Sequence, residues 1–330
     1  MTKIIAVDVG YGDTKAVSTD GARVLYPSVW APARDLIQNR SMNGDGHIVE
    51  ITHLQDARRS SSFVGEMALR ESKTVSFTMD REKHLHPSHD ILLLTAVALL
   101  AETTCPGPIT LGVGLPIDCY KSQSDALVNH IMGLKVAVKV DRERPVEITF
   151  NKVTAYLQGV TALLCVRDKP SNGLVALIDP GYKTTDYTVF EMKNGRPHLI
   201  SDLSGSVNIG VSQVNETISK RFMEITGGVL DSWRIKSLVR DGKVIYEGRT
   251  YDLTEMMTTA TTDVSRTITD KVREAWRDLA KFIIRTYMIG GVVLLTDLPR
   301  LMPLAEVIPN PRFANAESYL DMLMGVQPAA

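Results

Sequence analysis

The feature that most constrains this chain is a short device that occurs twice: an apolar run, an aspartate, a glycine turn and a returning strand-like run. The first copy spans residues 3–18 and turns at Asp8-Val9-Gly10. The second spans residues 174–190 and turns at Asp179-Pro180-Gly181. One such turn is usually only a hairpin, but its recurrence in the second half of the chain favours a duplicated α/β core.

The two copies divide the chain into two predicted lobes. Lobe I is expected to span residues 1–165 and lobe II residues 166–330. Each lobe is expected to carry a peripheral subdomain, at about residues 30–90 and about residues 215–265. The last helix is expected to return toward lobe I. The prediction is therefore a two-lobed α/β protein, and the length is ample for a core in each lobe.

Two segments carry helical periodicity. Apolar residues on one side of residues 88–103 predict a helix there. A longer amphipathic helix is predicted from about Asp263 to Ile289. Gly290-Gly291 would end that helix, and the apolar run at residues 292–295 would form the next strand.

Charge and composition disfavour several classes of protein. The 330 residues carry 37 Lys and Arg against 38 Asp and Glu, so no global basic field favours direct nucleic-acid binding. Any role on DNA is therefore expected to need an adaptor protein. No apolar stretch approaches a membrane span, and residues 1–9 lead into a strand pattern instead of a signal peptide. These observations predict a cytoplasmic protein without a membrane segment.

Two sets of residues could suggest a metal site. The cysteines are scattered without a CxxC pair, which disfavours both a disulfide framework and a zinc site. They are Cys105, Cys119 and Cys165. Three histidines and an aspartate also stand close together, but in a polar run they are more typical of a solvated stretch than of a metal site. These are His84, His86, His89 and Asp90.

The first glycine turn has the composition of a phosphate-binding loop. A polyphosphate needs backbone amides that approach it closely and a divalent cation, often held through water by carboxylates. The segment from Asp8 to Lys15 offers a carboxylate at a strand end, two glycines and a lysine on the returning strand. The segment from Asp179 to Asp186 offers a second set of this kind.

With both loops identified, the chain resembles the actin-like ATPases, and among them the bacterial and archaeal actin-like proteins of the plasmid-segregation (ParM/StbA) type. The two loops are similar to the phosphate-1 and phosphate-2 motifs of that superfamily. Residues 157–164 are similar to its connecting segment, and Ile289-Gly290-Gly291 resembles its adenosine motif. Residues 307–316 resemble its closing segment, so the likeness covers nearly the whole chain.

The resemblance implies an actin/Hsp70-type ATPase fold, with duplicated β-sheet cores and a nucleotide cleft between the lobes. It implies ATP and Mg²⁺ as cofactors, with Asp8 and Asp179 holding the hydrated metal. Gln158 would orient the attacking water, and Gln158 and Asp179 are the candidate catalytic residues. The candidate nucleotide-binding residues are Asp8, Gly10, Tyr11, Gly12, Asp13, Thr14, Lys15, Gly181, Tyr182, Lys183, Thr184, Gly210, Gly290 and Gly291. Tyr11 stands where many relatives have a small hydroxyl residue.

The function that the resemblance implies is slow, assembly-linked ATP hydrolysis in a head-to-tail filament. Such filaments serve plasmid or DNA segregation, or other prokaryotic cytoskeletal work. A small-molecule kinase on the same fold is the alternative, but it needs a carboxylate base aimed at an acceptor hydroxyl, and no clear candidate stands out. An Hsp70-type chaperone would need a separate substrate-binding domain and is the weakest reading.

Overall fold

The computed structural model describes residues 3–35, 46–77, 82, 86–101, 107–141, 144–164, 166, 168–295, 297–302 and 304–325. The chain forms two compact units. Unit 1 consists of Met1–Arg167 together with Phe313–Ala330, and unit 2 is the continuous stretch Asp168–Arg312. Unit 2 is thus inserted into unit 1, because the chain leaves unit 1 and later returns to it.

The elements are numbered in chain order. The strands are β1 (Ile4–Val9), β2 (Asp13–Ser18), β3 (Arg23–Pro27), β4 (Val29–Pro32), β5 (His47–His53), β6 (Arg59–Val64), β7 (Ser76–Phe77), β8 (Ile109–Leu115), β9 (Val136–Val140), β10 (Val146–Ile148), β11 (Phe150–Leu157), β12 (Gly173–Pro180), β13 (Thr185–Lys193), β14 (Arg196–Leu199), β15 (Gly205–Val207), β16 (Lys243–Tyr246), β17 (Arg249–Asp252), β18 (Ile283–Met288) and β19 (Ala305–Val307). The α-helices are α1 (Glu66–Glu71), α2 (Pro87–Leu100), α3 (Ile117–Met132), α4 (Val160–Leu164), α5 (Val211–Thr226), α6 (Ser232–Asp241), α7 (Thr254–Trp276), α8 (Leu298–Leu301) and α9 (Ala314–Leu323).

The central sheet of unit 1 has the strand order β11-β8-β1-β2-β3. Strands β1, β8 and β11 run parallel, so their carboxyl ends meet at one edge of the sheet. Side chains alternate along β1: Ile5 and Val7 pack in one buried cluster with α2, whereas Ala6 packs in another with α9. This alternation is expected for a strand covered on both faces.

Helix α9 lies unusually close to the central sheet. A methyl group on Gly114 of β8 would lie 2.3 Å from the hydroxyl oxygen of Tyr319 in α9. Tyr319 also stacks on Tyr156 of β11, with ring centroids 5.4 Å apart. Glycine in β8 therefore makes room for an aromatic contact that fixes the helix on this face.

A second sheet of unit 1 has the order β10-β9-β5-β6-β4-β7. The sequence pattern indicated only an irregular peripheral segment at about residues 30–90. In the structure, strands from that segment pair with β9, which follows α3 along the chain. The pairing is non-local, and local sequence patterns therefore do not show it.

The core sheet of unit 2 repeats the plan of the first sheet. Its order is β14-β13-β12-β18-β19, and β12, β18 and β19 run parallel. Helix α7 packs on it through Ile268, Val272 and Trp276. Helices α5 and α6, the first half of α7 and the β16–β17 hairpin enclose a separate small core.

Two predictions in unit 2 are wrong. The helix predicted to reach Ile289 ends at Trp276, and a 3-10 helix and strand β18 follow it. The predicted strand at residues 292–295 lies in a 3-10 helix, Gly291–Leu295. Leu279 and Ile283 fall at helical spacing after Trp276, but Leu279 is 43% exposed, so the spacing there does not mark a buried helix face. Gly290 consequently follows a strand instead of preceding one.

Helices in the described part of the chain are all too short or too polar to cross a membrane.

Candidate functional site

The first glycine turn is a tight hairpin between β1 and β2. Asp8 pairs with Lys15 in the register of these strands, and the Gly10 amide donates to the Asp13 carbonyl at 3.2 Å. A methyl group on Gly10 would lie 3.0 Å from that carbonyl oxygen and 3.2 Å from Lys15 Nζ. The absence of a side chain at Gly10 therefore lets the lysine ammonium lie over the turn.

Asp8 is the electrostatic centre of this turn. It is only 3% exposed, and Lys15 Nζ lies 3.5 Å from its Oδ2. Gln158 Nε2 donates to its Oδ1 at 2.8 Å. A buried carboxylate needs such partners, because without them its desolvation would be costly. Three predicted site residues are thus brought together.

Gln158 reaches Asp8 because of strand topology, although 150 residues separate them in sequence. Gln158 directly follows β11, and its backbone N–H donates to the Leu115 carbonyl at the end of β8. Since β1, β8 and β11 end at one edge, their terminal residues are neighbours. Gln158 lies in the turn between β11 and α4, not on a helix surface.

Helix α9 supports this turn through two residues that were not among the predicted site residues. Asn315 Oδ1 accepts a hydrogen bond from the Gly159 amide at 3.0 Å. Ser318 Oγ donates to Thr161 Oγ1 at 3.0 Å. Both α9 residues are buried. Polar residues on the buried side of an amphipathic helix are the signal that could have identified them.

The second glycine turn has the same geometry in unit 2. Asp179 pairs with Asp186 across β12 and β13, and the Gly181 amide donates to the Thr184 carbonyl at 2.8 Å. This is the hydrogen bond that Gly10 and Asp13 make in unit 1. The sequence repeat thus corresponds to a repeated backbone conformation.

The first residues of α5 are hydrogen-bonded to this second turn. The Ser212 amide donates to the Tyr182 carbonyl at 2.8 Å, and the Val211 amide donates to the Gly181 carbonyl at 3.3 Å. A methyl group on Gly210 would lie 2.5 Å from the Tyr182 carbonyl oxygen. Gly210 thus has a structural reason to be glycine, independent of its predicted contact with a ribose.

Gly290 lies directly against Asp179. It follows β18, which runs parallel to β12, so both residues lie at the carboxyl edge of the unit 2 sheet. A methyl group on Gly290 would lie 2.4 Å from Asp179 Oδ1, and the φ angle of +85° also favours glycine. The Gly290 amide donates to the Pro311 carbonyl at 2.7 Å.

Other predicted residues surround the two turns. Thr14 is fully buried, and its hydroxyl lies 2.9 Å from Ser28 Oγ, so it supports the turn from inside and is not exposed to a ligand. Partly buried residues of the two turns, which can present polar groups to a ligand, include Tyr11, Gly12, Asp13, Tyr182, Lys183 and Thr184.

Each turn, taken by itself, has donors that fit a phosphate group or a hydrated magnesium ion. Asp8 in unit 1 and Asp179 in unit 2 each supply hard carboxylate oxygens at a strand end, which suits binding of Mg²⁺ through water. Gly10 and Gly181 leave the backbone accessible, and Lys15 supplies a positive charge beside the first turn.

The histidine cluster is not a solvated stretch. His84 lies outside the described residues, His86 caps α2, and His89 is only 3% exposed. Asp90 bonds His130 Nε2 of α3 at 2.8 Å. Burial raises the pKa of Asp90, but the bonds to His130 and His89 outweigh it and leave the pKa below its usual value. The described residues contain no group of three His, Cys, Asp or Glu side chains that could hold a metal.

Two family models match the chain. Residues 6–160 match the N-terminal domain of actin-like proteins. Residues 177–298 match the C-terminal domain of the archaeal MreB-like actin homologues. The two matches follow one another along the chain and contain both glycine turns.

Similar proteins agree with these matches. The chain is 26% identical over 337 residues to an archaeal actin homolog of Thermoplasma volcanium, which covers 96% of this chain and 98% of the relative. A 15-stranded ParM filament from Clostridium botulinum shares 26% identity at a TM-score of 0.87, over 98% of this chain and 99% of that one.

A third similar structure is an archaeal actin homolog in complex with ADP. It has a TM-score of 0.80 at 20% identity, over 98% of this chain and 100% of that one, and supports the fold alone. The predicted two-lobed α/β fold with duplicated sheet cores is confirmed. The chain thus carries two consecutive domains that match actin-like families, and archaeal actin homologues and ParM proteins are similar to it in structure.

Proposed function

We propose that this protein binds ATP with Mg²⁺, hydrolyses it slowly and assembles into filaments while doing so. The observation that carries the proposal is the arrangement around Asp8, where Lys15 and Gln158 converge on one buried carboxylate beside a glycine turn. The matching turn at Asp179 supplies the second carboxylate. Filament formation is named for the similar ParM, and ADP binding for a similar archaeal homolog.

For the individual residues we propose the roles that the resemblance implies. Amides near Gly10, Gly12 and Gly181 contact the phosphates, and Lys15 offsets their charge. Asp8 and Asp179 would hold Mg²⁺ through water, and the ion would supply positive charge beside the phosphates. Gly210 approaches the ribose, and Gly290 with Gly291 faces the adenosine.

Gln158 has a role that depends on its bond to Asp8. Nε2 donates one of its two N–H groups to Asp8 Oδ1, so the second N–H and the Oε1 acceptor stay available to orient the attacking water. The bond to Asp8 would hold the Gln158 side chain in position for that role, beside the carboxylate that would hold Mg²⁺ through water.

Assembly and location complete the proposal. Subunits join head to tail, a contact that does not close and therefore makes an open polymer. An adaptor protein links the filament to DNA in the cytoplasm, because the chain has no basic excess for direct binding.

The test is sedimentation of the purified protein with ATP, with ADP and without nucleotide, each with Mg²⁺. A pellet that requires ATP supports a nucleotide-dependent filament. A protein that stays in the supernatant while it transfers phosphate to a small molecule would instead be the kinase. Thermal unfolding in the same solutions measures binding separately, since a ligand of the folded state raises the melting temperature.

A further inference from the structure

Arg312 lies over the second glycine of the Gly290-Gly291 pair. A methyl group on Gly291 would lie 3.0 Å from Arg312 Nε, 3.3 Å from its Cγ and 3.6 Å from its Cδ. The side chain therefore runs across the Gly291 backbone, in space that any other residue at position 291 would occupy. The preceding residue, Pro311, accepts the Gly290 amide and fixes the chain at this point.

The guanidinium of Arg312 has no acidic or carbonyl partner among the described residues. Its Nε is buried and makes no hydrogen bond there. Arg300 of the same unit, by contrast, forms an ion pair with Asp297 at 3.8 Å. A half-buried cation without a partner is costly, and such a cost is commonly retained where a ligand supplies the missing acceptor.

The position of Arg312 indicates which part of a nucleotide that ligand group is. Gly290 touches Asp179, beside the phosphate-binding turn, and Arg312 lies one residue farther along, on Gly291. Gly290-Gly291 also belongs to the segment proposed to face the nucleoside. The acceptor for Arg312 is therefore expected on the base and not on the phosphates.

We infer that Arg312 contacts the purine base of the bound nucleotide and shifts the base preference toward guanine. A guanidinium presents N–H donors in a fixed fork. Guanine offers two acceptors, O6 and N7, to such a fork, whereas adenine offers N7 beside an amino group that is itself a donor. This inference rests on the proposed function, because it presupposes that a nucleotide binds.

Calorimetric titration tests the inference with three ligands: the non-hydrolysable analogues of ATP and GTP, and tripolyphosphate, all with Mg²⁺. The proteins are wild type, Arg312→Ala and Arg312→Lys, with Arg300→Ala as the control. Arg300 is a matched control because it is another arginine of unit 2, it is largely exposed, and it lies outside the proposed site. Lysine keeps the charge of Arg312 but loses the planar fork.

Both Arg312 variants are expected to lose about tenfold or more in affinity for the GTP analogue, the size of one lost base contact. They should lose less for the ATP analogue and nothing for tripolyphosphate, and Arg300→Ala should match wild type. If Arg312→Ala does not fold, as judged by circular dichroism and melting, Arg312→Lys carries the test.

Three outcomes would overturn the inference. Equal losses for all three ligands would mean that the guanidinium binds phosphate. Unchanged affinities would mean that Arg312 only packs on Gly291, and a larger loss for the ATP analogue would reverse the stated preference. Wild-type protein that binds neither analogue would refute the proposed function itself, and this inference with it, which is a different result from unchanged affinity in the variants.

Discussion

The two glycine turns share a backbone conformation but differ in what surrounds their aspartates. In unit 1, Asp8 is almost fully buried and is contacted by Lys15 and Gln158. In unit 2, Asp179 is partly exposed and lies against the bare Gly290, while α5 is bonded to the turn that follows. The two copies of the motif therefore share a backbone conformation but differ in how deeply the aspartate is buried and in which residues lie against it.

The largest expected effect is a loss of ATP hydrolysis on replacement of Asp179, at a strand end in unit 2. Asp13, in the turn of unit 1, is the comparison. Asp179→Ala should reduce Mg²⁺-dependent ATP hydrolysis on the order of a hundredfold or more, because it removes a proposed ligand of the metal's water. Asp13→Ala should reduce it far less, since Asp13 lies beyond the second glycine of its turn. Phosphate release over a Mg²⁺ titration measures both. Loss of activity in Asp13→Ala alone would show that the two turns have been matched in the wrong register.

The next effect concerns Gln158, whose side-chain amide contacts Asp8 in unit 1. Gln158→Ala should slow hydrolysis about ten- to a thousandfold, or about 1.4 to 4 kcal/mol, while nucleotide binding and assembly persist. A group that orients water contributes mainly in the transition state. Phosphate release and light scattering recorded together report rate and assembly. Gln158→Glu is the matched variant, because it keeps the shape of the side chain but places a second carboxylate beside Asp8. It should also lower the free energy of unfolding in the absence of Mg²⁺. Unchanged phosphate release in Gln158→Ala would leave this residue with only a structural role.

A smaller effect is the loss of stability when a glycine is replaced by alanine, at Gly210 in unit 2 or at Gly10 in unit 1. Gly210→Ala should destabilise the protein by about 1 to 3 kcal/mol, because its methyl group would lie 2.5 Å from a backbone carbonyl oxygen that cannot move without α5. Gly10→Ala should cost less, since its closest contacts are at 3.0 Å and 3.2 Å and one of them is a flexible lysine end. Urea unfolding of both variants without nucleotide gives the comparison. A larger cost at Gly10 would contradict it.

The smallest effect is a pH dependence that unit 1 alone should show. Hydrogen bonding to Asp90 raises the pKa of His130 above 6.5, although partial burial opposes the shift. A raised folded-state pKa stabilises the protein fully below about pH 6.5, and this contribution is lost as the pH rises through the folded value. The side chain of His130 is 33% exposed, so the contribution is about 0.5 to 1 kcal/mol.

His130→Gln should remove this dependence. Wild type should lose stability relative to the variant between about pH 6 and pH 8, as measured by urea unfolding. The lowered pKa of Asp90 has the opposite effect on stability. Its contribution is present above about pH 3.8 and is lost as the pH falls through the lowered pKa of the folded state. The shifted groups in unit 2 are carboxylates, a lysine and a tyrosine, which do not titrate in the neutral range. Parallel pH profiles for wild type and variant would exclude the role of His130.

How much the sequence could predict depends on how far apart along the chain the residues that form each feature lie. The turns at Asp8 and Asp179 are local, and their residue types alone predicted their form. The bond between Gln158 and Asp8 depends on parallel pairing of three strands, which no local pattern displays. Strand β18 was mistaken for the end of a helix because Ile283 falls at helical spacing. Arg312 has no signal in the sequence, since its environment arises only when Gly291 comes beside it.

The insertion of unit 2 into unit 1 has a consequence for the order of folding. Residues 168–312 are contiguous and can complete their contacts as they leave the ribosome. Unit 1 cannot, because α9 is synthesised after all of unit 2 and supplies Asn315, which satisfies the amide of Gly159 next to Gln158. Until α9 docks, the face of the sheet carrying Ala6 and Gly114 stays uncovered. A nascent chain stalled before residue 313 should therefore expose this face to chaperones, while its second unit is already resistant to protease.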